Sequence, residues 1–148
     1  MKASHILRTA AKMEDRPLKG LNVFLSGPMT GYECYNLLEF VKAHRRLQSL
    51  GAAYIYDPAL IWLNRMVRGE KEESHEFYMR ETITELAKGK SSQGLLAKKP
   101  LYDIVVMLDG WEKSEGAMTE TYVANACGIK VVQLGRIDEW IERGMQDE

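Results

Sequence analysis

The segment at residues 110–120, GWEKSEGAMTE, follows an apolar run and combines residue types that could carry chemistry. Ser114 is a favourable helix N-cap, and Gly116 and Ala117 keep the first helical turn bare, so its amide groups can face an anion or a sugar oxygen. Glu120 lies in the second turn, on a face whose small residues predict close packing against a sheet. A carboxylate in such a place is unusual without a partner or a role, although the alternative is an ordinary solvated helix residue.

A second candidate site is the loop at residues 26–31, SGPMTG, which follows the apolar run LNVFL. Gly27 and Gly31 allow the backbone to come close to a ligand. Ser26 and Thr30 offer hydroxyl groups and exposed amides that can hold a phosphate or a ribose. The loop is neither a Walker A sequence nor a GxGxxG fingerprint. The alternative is a plain turn that needs glycine and proline after a strand.

These residues must be positioned by the strands and helices around them. Short apolar runs bounded by turn residues predict strands at residues 21–25, 52–56, 102–108 and 130–134. Helical periodicity predicts helices at residues 36–50, 59–67, 74–88 and 115–127, and a last helix that carries Ile137, Trp140 and Ile141.

This alternation predicts an α/β fold, Rossmann-like or flavodoxin-like, with a parallel sheet of about four to five strands and helices on both faces. The strands are continuous apolar runs, as expected when both faces of a sheet are covered. Ligands bind outside the carboxyl ends of such strands, so the loops after Leu25, Tyr56 and Leu108 are expected to line one cleft.

The 148 residues are enough for one domain, which we place at residues 21–148 after an N-terminal extension at residues 1–20. Within that extension, residues 2–13 are expected to form a short helix. The segment at residues 88–100, KGKSSQGLLAKKP, has little periodicity and is expected to be a surface insertion.

Charge and composition limit the partners and the compartment. A formal net charge of −1 disfavours nucleic acid and anionic lipid as partners. No apolar run approaches the roughly 18 residues of a membrane span. Cys34 and Cys127 lie in apolar helical patterns without metal-ligand spacing and are expected to be reduced core thiols. We therefore expect a cytoplasmic protein that needs neither a metal nor a cofactor.

Five segments carry a resemblance to a known superfamily. They extend over residues 21–134 and read VFLSGPMTGYECYN, GAAYIYDPA, YMRETITELA, YDIVVMLDGWEKSEGAMTE and ANACGIKVV. Together they resemble the nucleoside 2-deoxyribosyltransferase-like superfamily, most of all its small phage and bacterial branch, which is related to deoxynucleoside 5′-monophosphate N-glycosidases. The most specific part is the third strand with the turn and the glutamate that follow it.

The resemblance implies chemistry on an N-glycosidic bond, with Glu120 as the nucleophile that attacks C1′ of a 2′-deoxyribosyl group. Water or a second base would then resolve the covalent ester. Glu120 must therefore be ionised, and the amides at the helix start are expected to keep it so. The candidate proton donors, in order of expectation, are Glu81, Asp109 and Asp103. Asp103 is last because it lies at the amino end of its strand.

Ser114 carries the clue to the substrate. The transferases of the superfamily tend to have aspartate six residues before the nucleophile, whereas the monophosphate N-glycosidases have serine there, beside a phosphate. A serine next to helix amides accepts a phosphate that a carboxylate would repel. The resemblance thus implies hydrolysis of the base–sugar bond of a 2′-deoxynucleoside 5′-monophosphate, although the first loop lacks the arginine of those hydrolases. Base exchange between deoxynucleosides and a nucleotide-binding module without turnover stay open.

The remaining expectations concern the cleft and the assembly. The expected substrate-binding residues are Ser26, Gly27, Pro28, Met29, Thr30, Gly31, Trp111, Ser114, Gly116 and Ala117. Trp111 would stack on a base or cap the cleft, or simply pack within its turn. Asn36 is expected to cap the helix after the first loop, and His44 and His75 to be packing or surface residues. Family members commonly assemble, so we expect a homo-dimer or higher homo-oligomer, with Trp140 as one candidate contact.

Overall fold

The computed structural model of the chain describes residues 16–91 and 97–146. Within these ranges the strands are β1 (Asn22–Ser26), β2 (Tyr54–Tyr56), β3 (Ile104–Met107) and β4 (Lys130–Gln133). The α-helices are α1 (Leu37–Ser49), α2 (Pro58–Val67), α3 (His75–Leu86), α4 (Glu115–Ala126) and α5 (Ile137–Glu142). The helix expected at residues 2–13 and residues 92–96 of the expected insertion lie outside the described residues.

The four strands form one parallel sheet in the order β2-β1-β3-β4. Val23 in the middle of β1 pairs with Ile55 on one side and with Ile104 on the other. This order is the start of the flavodoxin-like order 2-1-3-4-5, in which the chain reverses direction across the sheet between β1 and β3. The predicted α/β, Rossmann-like fold is confirmed, and a crevice is expected at the carboxyl ends of β1 and β3.

Helices cover both faces of the sheet, as predicted. Val23 and Leu25 of β1 point to one face, where α1 and α5 supply Phe40, Leu47 and Trp140. The alternate residues of β1 and β3 point to the other face, where they pack with residues of α3 and α4; this second cluster contains Phe24, Val105, Met107, Leu86, Ala117 and Ala124. Each face therefore has its own core, and α4 carries its small residues against the second one.

Trp140 is 4% exposed and packs in the first core. The expectation that it offers a contact for a second copy is therefore wrong, because α5 uses its apolar side to cover its own sheet. The homo-oligomer itself stays a prediction. Leu18 is also fully buried in this core, and its amide donates to the carbonyl of Leu50. Packing of the domain thus begins before residue 21.

Both cysteines are exposed, so the expectation of core thiols is wrong. Cys127 follows the last residue of α4, in the turn that leads to β4. Cys34 lies in a short turn before α1 in which Cys34, Tyr35 and Asn36 have φ angles of 48°, 51° and 62°. Three consecutive residues with a Cβ in the left-handed region strain the backbone by about 1–2 kcal/mol each.

Replacing Cys34 by glycine is expected to raise the free energy of unfolding by about 1 kcal/mol, because glycine adopts a positive φ without a Cβ clash. The exposed side chain contributes little packing that would be lost. Urea unfolding of the variant and the parent measures the difference. Cys34→Ser keeps the Cβ and is the matched control, for which no gain is expected. Equal stability of the glycine and serine variants would contradict a strained turn.

Candidate active site

Glu120 on α4 and Ser26 at the end of β1 form the centre of the site. Both are buried, with 7% of Glu120 and none of Ser26 exposed, and the Ser26 hydroxyl donates a hydrogen bond of 2.7 Å to Glu120 Oε2. Ala117 and Ala124, which share a helical face with Glu120, are buried against the sheet. These small side chains allow α4 to lie close enough to bring the carboxyl group over the carboxyl end of β1.

Burial raises the pKa of Glu120 from 4.5 to about 7, against the smaller lowering effect of hydrogen bonds from Ser26 and Thr82. The expectation that helix-start amides keep Glu120 ionised is therefore wrong. Only the hydroxyl groups of Ser26 and Thr82 favour its charged form, and their effect on the pKa is smaller than that of removing the carboxyl group from water. Near neutral pH the carboxyl group is divided between its protonated and ionised forms.

The start of α4 has the predicted cap. The Ser114 hydroxyl accepts a hydrogen bond of 3.2 Å from the amide of Ala117. A Cβ added to Gly116 would lie 3.1 Å from Met79 Sδ, so α3 approaches the bare first turn closely. Ser114, Gly116 and Ala117 all line a pocket that also contains Glu120. The first turn of α4 and the buried carboxyl group thus line the same pocket.

The first loop contributes backbone and small side chains to the same pocket, through Gly27, Met29 and Thr30. Gly27 is required for packing, because a Cβ there would lie 2.6 Å from Leu108 Cβ. Pro28 is buried behind the pocket wall, and its carbonyl accepts a hydrogen bond of 3.0 Å from Asn36 Nδ2. Asn36 occupies the N-cap position of α1 as expected, but its side chain holds the loop and makes no cap hydrogen bond.

The pocket has a volume of about 210 Å³. One part of its wall is aromatic, with Tyr35 and Trp62 in ring contact at a centroid distance of 4.8 Å. The other part is charged. The ionisable side chains that line it, besides Glu120 and the tyrosines, are Arg65, Glu72, Glu73, His75 and Glu81. Such a combination of apolar surface and a few polar groups suits a small organic ligand.

Glu81 of α3 and Arg65 of α2 form a bidentate ion pair inside this pocket. Both carboxylate oxygens of Glu81 accept hydrogen bonds of 2.6 Å from the guanidinium. The expectation that Glu81 reaches the cleft therefore agrees with its position. In this arrangement both oxygens of Glu81 are hydrogen-bond acceptors, however, whereas a proton donor must carry a proton on one of them.

Sequence comparison places the chain among known families. Residues 21–133 match the family described as Domain of unknown function (DUF4406). The chain belongs to the DUF4406 family. The match covers every strand of the sheet and both parts of the site, the loop after β1 and the start of α4. No curated protein and no solved structure matches the chain at a significant level.

Three residues considered from the sequence lie away from the pocket of this DUF4406 domain. Asp109 is exposed, and its side chain lies near Gly135, which follows β4: a Cβ added to Gly135 would be 3.7 Å from Asp109 Oδ1. Asp103 accepts a hydrogen bond of 2.7 Å from the amide of Asn22 at the amino ends of the strands, away from the cleft as expected. Trp111 packs half-buried on the second core. The structure does not bring Asp109 or Trp111 into contact with the pocket of Glu120.

Tyr56 is a site residue that sequence reasoning missed. It ends β2, is 8% exposed, stacks on Phe24 at 4.7 Å and lines the pocket. Burial raises the pKa of its hydroxyl well above the usual range, and the nearby carboxylates Glu85, Glu81 and Glu120 raise it further. Tyr56 is therefore a neutral hydrogen-bond donor at the pocket wall. The sequence did contain a sign of this role, because Tyr56 directly precedes one of the three loops that were expected to line the cleft.

The two histidines of the described domain have different surroundings. His44 Nδ1 lies 2.9 Å from Asp57 Oδ2, and Asp57 Oδ1 accepts from the first amides of α2, so this pair organises the helix start. His75 is exposed and lines the pocket, with its Cε1 3.9 Å from where a Cβ of Gly116 would stand. His44 has the expected packing role, while His75 lies at the mouth of the site.

Among residues 16–91 and 97–146, no group of three or more histidine, cysteine or acidic side chains is arranged to hold a metal ion. In the same ranges, no helix is long and apolar enough to cross a membrane.

Proposed function

We propose that this domain is an N-glycosidase that hydrolyses the base–sugar bond of a 2′-deoxynucleoside 5′-monophosphate by double displacement through Glu120. The observation that carries the proposal is the buried carboxyl group of Glu120, which is held by Ser26 at the carboxyl end of β1 and lines the pocket. A carboxylate in this setting can stabilise the oxocarbenium character of the sugar and then bond to it.

Two displacements account for the products. One carboxylate oxygen of Glu120 attacks C1′ while the electron pair of the C1′–N bond departs with the base. The base takes a proton, and a glycosyl ester of Glu120 remains. A water molecule then attacks C1′, gives up a proton to a nearby base and releases the carboxylate. Only the ionised form of Glu120 attacks, so its raised pKa makes the first step faster as the pH rises towards 7 and above.

The phosphate of the substrate would lie at the start of α4. The amides of the first turn carry the positive end of the helix dipole, and Ser114 and Gly116 line the pocket on that side. Ser114 and Glu120 lie six residues apart on one helix, which separates the phosphate end of the pocket from the reacting carbon.

A second candidate is base exchange between unphosphorylated deoxynucleosides. The acidic lining favours it, because Glu72, Glu73, Glu81 and Glu120 face only Arg65 and His75 in the described wall of the pocket. Such a surplus of carboxylates repels a phosphate dianion and tolerates a free 5′-hydroxyl.

A substrate panel separates these candidates. The protein is incubated with the four 2′-deoxynucleoside 5′-monophosphates and the four deoxynucleosides, with and without a free acceptor base, and the products are separated by chromatography. Free base and 2-deoxyribose 5-phosphate from a monophosphate are the expected result. Exchanged nucleosides would indicate the second candidate. Saturable binding without any product after long incubation would contradict both and indicate a nucleotide-binding module.

A further inference from the structure

Arg65 is the only lysine or arginine among the described residues that line the pocket. It lies in the last turn of α2, and its guanidinium forms both of its short hydrogen bonds with Glu81 on α3. The first loop, Gly27 to Gly31, has no basic residue of its own. Arg65 is therefore the one permanently charged cation that a phosphate would meet in the described pocket lining, and it is already paired with Glu81.

The pair is accessible enough to be exchanged. The side chains of Arg65 and Glu81 are 24% and 33% exposed, so a ligand and water can reach both. An ion pair at this degree of exposure contributes little net free energy, whereas a phosphate offers the same guanidinium a bidentate partner with more negative charge. Replacing Glu81 by phosphate as the partner of Arg65 is thus a small change in free energy.

We propose that Arg65 exchanges partners when substrate binds: its guanidinium leaves Glu81 for the 5′-phosphate, and Glu81, freed from its cation, becomes the acid that protonates the leaving base. This inference rests on the proposed function. It assigns Arg65 a binding role that the first loop cannot provide, and it removes the conflict between the ion pair of Glu81 and its expected role as proton donor.

The proton for Glu81 comes from solvent, because 33% of its side chain is exposed. The charged and titratable groups near the pair are Glu70 after α2 and Tyr56 at the end of β2. The same pocket is also lined by Glu72, Glu73, His75 and Glu120. In the empty pocket both carboxylate oxygens of Glu81 accept hydrogen bonds from Arg65. Once Arg65 is on the phosphate, these oxygens are released and one of them can take the proton.

This exchange leaves each group in the form that the reaction needs. Ionised Glu120 attacks C1′, and Glu81 gives its proton to the base as the C1′–N bond breaks. In the second displacement Glu81 accepts a proton from the attacking water, and Glu120 leaves as a carboxylate. One water is consumed, one base and one 2-deoxyribose 5-phosphate are released, and both side chains return to their starting forms.

The decisive experiment measures binding of inorganic phosphate, by calorimetry, to the parent protein and to Glu81→Gln, Arg65→Met and Arg68→Met. Glu81→Gln should bind phosphate about fivefold more tightly, because the competing carboxylate is gone. Arg65→Met should bind at least about tenfold more weakly. Arg68, 66% exposed and paired with Glu70, is the matched control, and its variant should bind like the parent. Equal or weaker binding by Glu81→Gln would overturn the exchange.

A second measurement compares kcat/KM for a monophosphate and for the same deoxynucleoside without phosphate. Arg65→Met should lose about tenfold more on the monophosphate than on the nucleoside, and Arg65→Lys should lie between it and the parent. Equal losses on both substrates would mean that Arg65 only supports the fold, and would overturn the inference. If no substrate is cleaved while Glu81→Gln still tightens phosphate binding, the proposed hydrolysis fails, the acid role of Glu81 falls with it, and the exchange at Arg65 stands.

Discussion

Replacing Glu120 by glutamine should lower kcat/KM for base release by a factor on the order of 10³ or more, equivalent to about 4 kcal/mol of lost transition-state stabilisation. Glutamine keeps the size of the side chain and can still accept the hydrogen bond that Ser26 donates to Glu120. It has no carboxylate to bond to C1′ or to balance the positive charge that develops on the sugar ring. The loss is therefore expected in kcat, with little change in substrate binding.

Three measurements make this expectation specific. Glu139→Gln removes an exposed carboxylate of α5 and should leave the rate unchanged. Mass spectrometry of the quenched reaction should detect a glycosyl adduct on the parent protein and none on Glu120→Gln. If Glu120→Gln releases base as fast as the parent, the nucleophile is a different group and the double displacement through Glu120 is wrong.

The fold could be predicted because its two central strands, β1 and β3, are buried on both faces and because glycine, proline and capping residues mark the ends of its helices. The runs LNVFL and YDIVVML predicted β1 and β3, and Ser114 was correctly predicted to cap α4. The second strand was predicted to begin at residue 52, whereas β2 begins at Tyr54. Ala52 instead bridges to Lys19 in the antiparallel direction, a pairing between distant residues that local periodicity does not contain.

The site was predictable where its residues lie at the edge of the sheet. Ser26 ends β1, Gly27 follows it, and Glu120 lies in the second turn of the helix after β3, so topology brings them to one edge of the sheet. Arg65 and Trp62 could not be found in this way. Trp62 lies in the middle of α2 and Arg65 in its last turn. Both line the pocket because of how α2 packs in the folded domain, which local sequence patterns do not reveal.

The predictions for the two cysteines and for the charge of Glu120 were wrong for physical reasons. Cys34 and Cys127 were predicted to be buried because their neighbours are apolar, but the left-handed turn before α1 and the end of α4 direct them to solvent. Glu120 was predicted to be ionised by helix amides. The hydrogen bonds that favour its charged form come from the hydroxyl groups of Ser26 and Thr82, and burial against the sheet has the larger effect on its pKa.

That burial predicts a strong pH dependence of stability, which Glu120→Gln should remove. The pKa of Glu120 is raised from 4.5 in the unfolded chain to about 7 in the folded protein. The folded protein therefore binds more protons than the unfolded chain between these values. Its stability is fully present below pH 4.5 and falls as the pH rises through 7, by about 3 kcal/mol in all. The glutamine variant has no proton to lose, so its stability relative to the parent should grow by about this amount between pH 4.5 and pH 8.

Urea unfolding of the parent, Glu120→Gln and Glu139→Gln at pH 4.5, 6 and 8 measures this difference. The exposed Glu139 has the same chemistry without the burial, so its variant should follow the parent at every pH. A stability difference between parent and Glu120→Gln that stays constant with pH would mean that Glu120 has an ordinary pKa and is not desolvated by α4. A difference that grows towards alkaline pH would instead show that ionising Glu120 destabilises the folded protein, because the carboxyl group is buried over the end of β1. The carboxyl group proposed as nucleophile would then lower the stability of the folded protein at neutral pH, as expected for a group that is retained for function.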